Sequence, residues 1–213
     1  MTLAVAALAV SFLGITHADA AIRSGAARSI LARAETMPRG MERDAALAKA
    51  LIAIDDAVRA APLDARVHAR AARAYYLQAT TAAVDDVSAP LLDASRRAVT
   101  ESLKHSPSNA GAVALSALVD IAADGLVTSA AANAVAASYA VPATPEGELW
   151  RLDAATKAWP GLSGVVRRRV ITGSCSLAAA DVAFAARLAE IADRMPDSGL
   201  GRCGASDLRV DMP

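Results

Sequence analysis

Ala57-Val58-Arg59-Ala60-Ala61-Pro62-Leu63-Asp64-Ala65 reads as the end of one helix and the start of another. Pro62 has no N–H and its ring clashes with the preceding turn, so the helix before it must stop. Asp64 is a favoured N-cap, because its carboxylate accepts from the first free amides of a helix that begins at Ala65. The same succession recurs at Ser102-Leu103-Lys104-His105-Ser106-Pro107-Ser108-Asn109-Ala110: small residue, aliphatic, polar spacer, Pro, cap, Ala. Helices are expected on both sides of each turn. Upstream of Pro62, Leu47, Leu51, Ile54 and Val58 recur at spacings of four, three and four over about Arg43–Ala60, an amphipathic stripe. Downstream, about Ala65–Thr80 puts Val67, Ala71, Ala74, Tyr75 and Leu77 on a packed side.

Outward from these turns the punctuation continues. A first helix over about Ala20–Glu35 is broken by Met37-Pro38-Arg39-Gly40. Thr81–Pro90, with two Asp and a Pro, reads as a connecting loop. Further helices are expected over Leu91–His105, Ala110–Ala123 (stopped by Asp124-Gly125), Thr128–Tyr139, Glu146–Trp159, Leu162–Thr172 and Ser176–Arg194. Nothing reads as a strand. Composition agrees: 54% of the 213 residues are hydrophobic but only 3% are aromatic. Alanine, the best helix former, fills roughly a quarter of the chain. The expected class is all-α. Lys+Arg 22 against Asp+Glu 22 leaves no formal charge, which disfavours nucleic acid as a partner.

Leu3–Ile15 is an apolar run, followed by Ala18-Asp19-Ala20-Ala21. A short apolar core before Ala-x-Ala is the layout of a signal peptide cleaved after Ala20, although no Lys or Arg precedes it. An uncleaved N-terminal membrane anchor or a buried first helix are the alternatives. Either of the first two readings places the chain in the periplasm, or at the inner membrane facing it. Cys175 and Cys203 are the two cysteines, without CxxC or metal-ligand spacing. Export would make a bridge between them the default; two free thiols is the other reading. The nine residues from Met195 to Cys203 can extend about 30 Å. The bridge then requires the Gly-rich tail to fold back along the helix over Ser176–Arg194, or that helix to end early.

The segments around Pro62 and Pro107 resemble the end of a tetratricopeptide repeat, where a small residue and an aliphatic precede the inter-repeat proline. In that family a bulky residue, small residues and an aromatic follow; here His68, Ala71-Ala72 and Tyr75 take those positions. After Pro107 the match fades, since Asp120 stands at the aromatic position. The two prolines are 45 residues apart instead of about 34, which makes Thr81–Pro90 an insertion. The resemblance covers Asp44–Ala123 and implies stacked helical hairpins with a concave groove. An irregular helical bundle is the alternative. The whole layout is similar to small envelope-associated repeat proteins of Gram-negative bacteria, some of which accompany exopolysaccharide synthesis or export.

Motifs for chemistry are missing: no GxSxG, HExxH, Walker loop or GxGxxG occurs, and no cofactor or metal is implied. His17 falls in the N-terminal segment, and His68 and His105 sit on separate helices. The adjacent pairs Asp55-Asp56 and Asp85-Asp86 do not converge on one substrate atom, since neighbours on a helix point about 100° apart; Asp85-Asp86 in the loop reads as a solvated turn, with a weak cation site as the alternative. Arg167-Arg168-Arg169 suits a solvated face or an anionic-ligand patch. Trp150 is expected in the core and Trp159 at a helix end. The resulting organisation is residues 1–20 as signal or anchor, 21–140 as repeats, 141–196 as C-terminal helices packed on them, and 197–213 as a tail. The functional expectation is an exported, non-enzymatic adaptor that binds an envelope protein through a groove carrying His68, Arg70, Tyr75 and Tyr76. The alternative is a periplasmic enzyme or ligand carrier acting on glycans, which a pocket joining His68 or His105 to a carboxylate would favour.

Overall fold

The computed structural model describes residues 21–82 and 85–203. The predicted signal or anchor, His17 and the last ten residues of the tail lie outside this range. Among the described residues the chain is all helical, with no strand. α1 covers residues 21–36. It is followed by α2 (Met41–Ala60), α3 (Ala65–Thr81), α4 (Asp85–His105), α5 (Ala110–Asp124), α6 (Ser129–Ser138), α7 (Pro145–Ala158), α8 (Gly164–Ala178) and α9 (Val182–Arg194). Short 3-10 turns follow α7 (Trp159–Gly161) and α9 (Pro196–Ser198). No described helix is long and apolar enough to cross a membrane.

The helices start where local chemistry says they should. Asp64 accepts from the amide of Arg66, Asn109 from Ala112 and Thr144 from Gly147. Gly125 closes α5 in the left-handed conformation, φ 68°, which glycine adopts without steric cost. The stack α2 to α7 is built by neighbours packing in succession, with α3 against α4 the most extensive pairing and α7 laid on α5. Alanine makes that proximity possible. Ala72, Ala74, Ala112, Ala114, Ala117, Ala154 and Ala155 are all buried, and so small a side chain lets helix axes approach. Ser95 and Ser102, two turns apart on α4 and both fully buried, donate to Ala72 O and Ala65 O of α3, each at 2.7 Å. Such bonds contribute about 1 kcal/mol each.

The stripe on α2 holds, with its centre shifted. Leu47 and Ile54 are fully buried beside Ala50 and Ala57, while Leu51 and Val58 flank them half-buried. α3 is buried nearly all round, because it sits at the middle of the stack.

Two boundaries differ from expectation. α4 begins at Asp85 with Pro90 inside it, so the expected Thr81–Pro90 loop shrinks to a few residues and the extra length of the repeat is helical. Pro90 falls in the second turn on an exposed side, where it removes one backbone bond only. α8 runs through Gly173-Ser174-Cys175, and the break comes at Asp181, which caps α9 through the amides of Ala183 and Phe184. Cys175 therefore lies within α8. α9 carries the stripe Phe184, Leu188 and Ile191 inward. The chain then turns back, buries Leu200 and brings Cys203 to Cys175, Sγ–Sγ 2.09 Å and Cα–Cα 5.1 Å.

Candidate functional site

The up-and-down succession of α2 to α7 puts the N-termini of α3, α5 and α7 at one end of the stack. There the turn after α2, the turn after α4 and the segment before α7 line a half-open cavity of about 490 Å³. Its wall carries the three caps Asp64, Asn109 and Thr144, together with Arg66, His105, Ser106, Ser108, Glu146 and Trp150. Each of the three turns has one local sequence form: Pro62-Leu63-Asp64-Ala65, Pro107-Ser108-Asn109-Ala110 and Pro142-Ala143-Thr144-Pro145.

The turns are cross-linked. Asn109 Nδ2 donates to Ser102 Oγ at 3.2 Å, and Ser102 Oγ donates to Ala65 O. His68 Nε2 lies 2.7 Å from Pro62 O, and the His68 and His105 rings stack with centroids 6.0 Å apart. Close packing of α5 on α7 completes the wall. A Cβ at Gly111 would fall 2.9 Å from Trp150 Cε3 and 3.2 Å from Gly147 Cα, so the helices approach there because neither glycine carries a side chain.

The electrostatics of the wall are uneven. Both lining carboxylates have partners: Asp64 Oδ1 accepts the Arg66 amide at 2.8 Å, and Glu146 is held by Arg70 Nη2 at 3.1 Å and Arg28 Nε at 3.9 Å. The exposed Arg66 lies 3.6 Å from Asp64, and the three helix N-termini carry the positive ends of their dipoles behind those caps, while the Trp150 indole N–H is buried away from the cavity space with no acceptor among the described residues.

The residues expected in a groove are placed otherwise. Arg70 and Tyr76 are 7% and 6% exposed, packed inside the stack instead of projecting from it. Arg70 also donates to Ser24 Oγ of α1 at 2.8 Å. His68 and Tyr75 are half-buried, and burial together with Asp55 pushes the Tyr75 phenol above its ordinary pKa. The four do not form one accessible surface, because α1 and α7 fill the room left by the small neighbours on α3. The arginine run is likewise divided. Arg167 donates to Trp159 O at 2.9 Å and to Pro160 O at 3.2 Å and lies over the Trp159 ring, while Arg168 and Arg169 are exposed.

A second polar feature is structural. Arg73 of α3 donates Nε to Glu35 of α1 at 2.7 Å and Nη2 to Asp153 of α7. Asp153 also receives Arg187 of α9 at 3.3 Å. Burial alone would lower the Arg73 pKa, but Asp153 and Glu35 outweigh it and hold the guanidinium charged. One junction thus ties four helices. Sequence reading missed both it and the cavity; for the cavity, the third Pro-x-cap turn at Pro142 was the available signal. Compared with known protein families, curated proteins and solved structures, the chain finds no match.

Proposed function

We propose that the chain is an exported helical-repeat binding protein that carries a small ligand in the cavity at the three turns. The observation that supports this most is the cavity's composition: His105, Asp64 and Glu146 line it together with three capped helix starts. Its size falls in the usual range of ligand sites, about 300–1,000 Å³. Rigid elements of this kind hold a ligand with little ordering cost on binding. Export is supported by the Leu3–Ile15 run before Ala18-Asp19-Ala20 and by a cysteine pair at disulfide distance.

Native mass spectrometry of the full chain from its own host tests the reading. The expected result is a bound small molecule that leaves on denaturation and is absent from Ser106→Phe, which puts a bulky ring in the cavity lining. An empty chain, or equal occupancy in Ser106→Phe, overturns it.

The adaptor reading keeps one observation of its own. Met41, Ala45, Ala48 and Ile52 form an exposed apolar line along α2, with Met41 89% and Ile52 66% exposed. An envelope protein seated there would be lost in Ile52→Glu and kept in Ser106→Phe.

A further inference from the structure

We propose that α2 is a self-association surface, and that its exposed line of Met41, Ala45, Ala48 and Ile52 seats the same line of a second copy of this chain, antiparallel across a two-fold axis. Spacings of four, three and four keep the four residues within about 60° of one another at 100° per residue. Leu47 and Ile54 lie buried on the opposite side of the helix, and α2 packs on α3. The line is therefore left facing water, where an end helix of a stack ordinarily meets a further layer. No cavity residue takes part.

The order of the line commits its occupant. It runs large, small, small, large, symmetric about a point between Ala46 and Leu47. A two-fold axis through that point reverses the line onto itself. Met41 then lies against Ile52 of the second copy and Ala45 against its Ala48, each contact made twice, as an isologous interface requires. The alanine layers at the centre let the two helix axes approach, and the bulky residues at both ends fill the space beyond them.

Charge agrees with the same register. Glu42 and Lys49 are seven residues apart, so both stand on one flank of the line, and both are exposed. In an antiparallel pair that flank meets the same flank of the other copy. Glu42 comes alongside Lys49 of the second copy, and Lys49 alongside its Glu42, the arrangement by which flanking charges set partner and orientation in paired helices. Neither is committed within its own chain: among the described residues Glu42 and Lys49 make no ion pair, whereas Asp56 further along α2 is taken by Arg59. One helix face per copy is a small interface, so the dimer is of the weak, reversible kind.

Sedimentation velocity of the full chain over a rising concentration series tests the pairing. The expected result is a reversible monomer–dimer equilibrium, with Ile52→Glu monomeric throughout and its helical circular dichroism unchanged, since Ile52 is exposed. Lys49→Glu and Glu42→Lys each put like charges at both flanking contacts and should weaken the dimer about tenfold. An equimolar mixture of those two variants restores opposite charges at both contacts and should dimerise as the parent does, as should the double variant Glu42→Lys/Lys49→Glu. A chain monomeric at every concentration overturns the second copy as occupant and leaves the line to a different protein. Dimers that survive Ile52→Glu overturn α2 as the surface. A dimer lost in Ile52→Glu but unmoved by either charge reversal, or a mixture that fails to restore it, overturns the antiparallel register.

Discussion

The α3–α4 pair and the α8–α9 pair are both consecutive helices that fold against each other, yet they are held by different means. α3 and α4 share a long contact with alanine on one side and two buried serines on the other, and further helices cover them. α8 and α9 are shorter and pack on each other, burying Val170 of α8 and Phe184, Leu188 and Ile191 of α9. They are tied to the rest by Arg187 to Asp153, by Arg167 to the carbonyls of Trp159 and Pro160 and by the return of Leu200 into the core, while the Cys175–Cys203 link closes the region on itself. Where neighbours cover a hairpin on several sides, small residues suffice. At the end of a stack, where one face meets solvent, a covalent staple does the work that a further helix would otherwise do.

The strongest way to break this contrast is Arg73→Met, because Arg73 is the point through which the stack and α9 share Asp153. Removing it leaves Glu35 and Asp153 without their common partner in a largely desolvated site. The expected loss is about 3–5 kcal/mol in urea unfolding, and α1 and α9 should lose hydrogen-exchange protection together. Loss confined to α3 would show that the junction does not couple them.

Next in size is the covalent link. Intact mass without reductant, after thiol alkylation, should show both cysteines blocked from alkylation in chain taken from its host. Cys203→Ser should then lower stability by about 3 kcal/mol for a closed loop of this length. The loss should appear as exchange in α8 and α9 while α3 and α4 stay protected. Uniform loss across the chain would make the two regions one cooperative unit.

The smallest effect sharpens the description of the stack. Ser95→Ala removes one bond from α4 to Ala72 O and should cost about 1 kcal/mol. Ser102→Ala should cost more, because Ser102 also accepts from Asn109 and so helps to hold the cavity wall. Equal losses would sever that connection between packing and site.

What the sequence made legible was what short-range chemistry decides. Helix ends at Pro62, Pro107 and Gly125 follow from a missing N–H or a left-handed glycine, and the starts at Asp64 and Asn109 follow from a side chain that caps its own helix. Pro90 misled because a proline near a helix start can be tolerated, and only its surroundings tell a break from a beginning. The expected break between Thr172 and Ser176 is absent because Gly173 lies within α8, where a glycine costs only about 1 kcal/mol. Arg70 and Tyr76 are expected in a groove because their alanine neighbours on α3 leave room beside them. Distant segments of the chain, α1 and α7, occupy that room, and no local pattern records them. The cavity was illegible for the same reason: it belongs to three turns spread over 80 residues between Pro62 and Pro142, and none holds it alone.

An interior of alanine also has a consequence for descent. At Ala72, Ala112 or Ala154 nearly every substitution enlarges the side chain, and only glycine makes it smaller. Such a core fails by crowding, typically about 1–3 kcal/mol for each misfit insertion, and seldom by hollowing. Variation at these positions should therefore come in compensating pairs, a larger residue on one helix admitted by a smaller one on its neighbour, so that lineages change by exchanging volume across a contact instead of accumulating single changes.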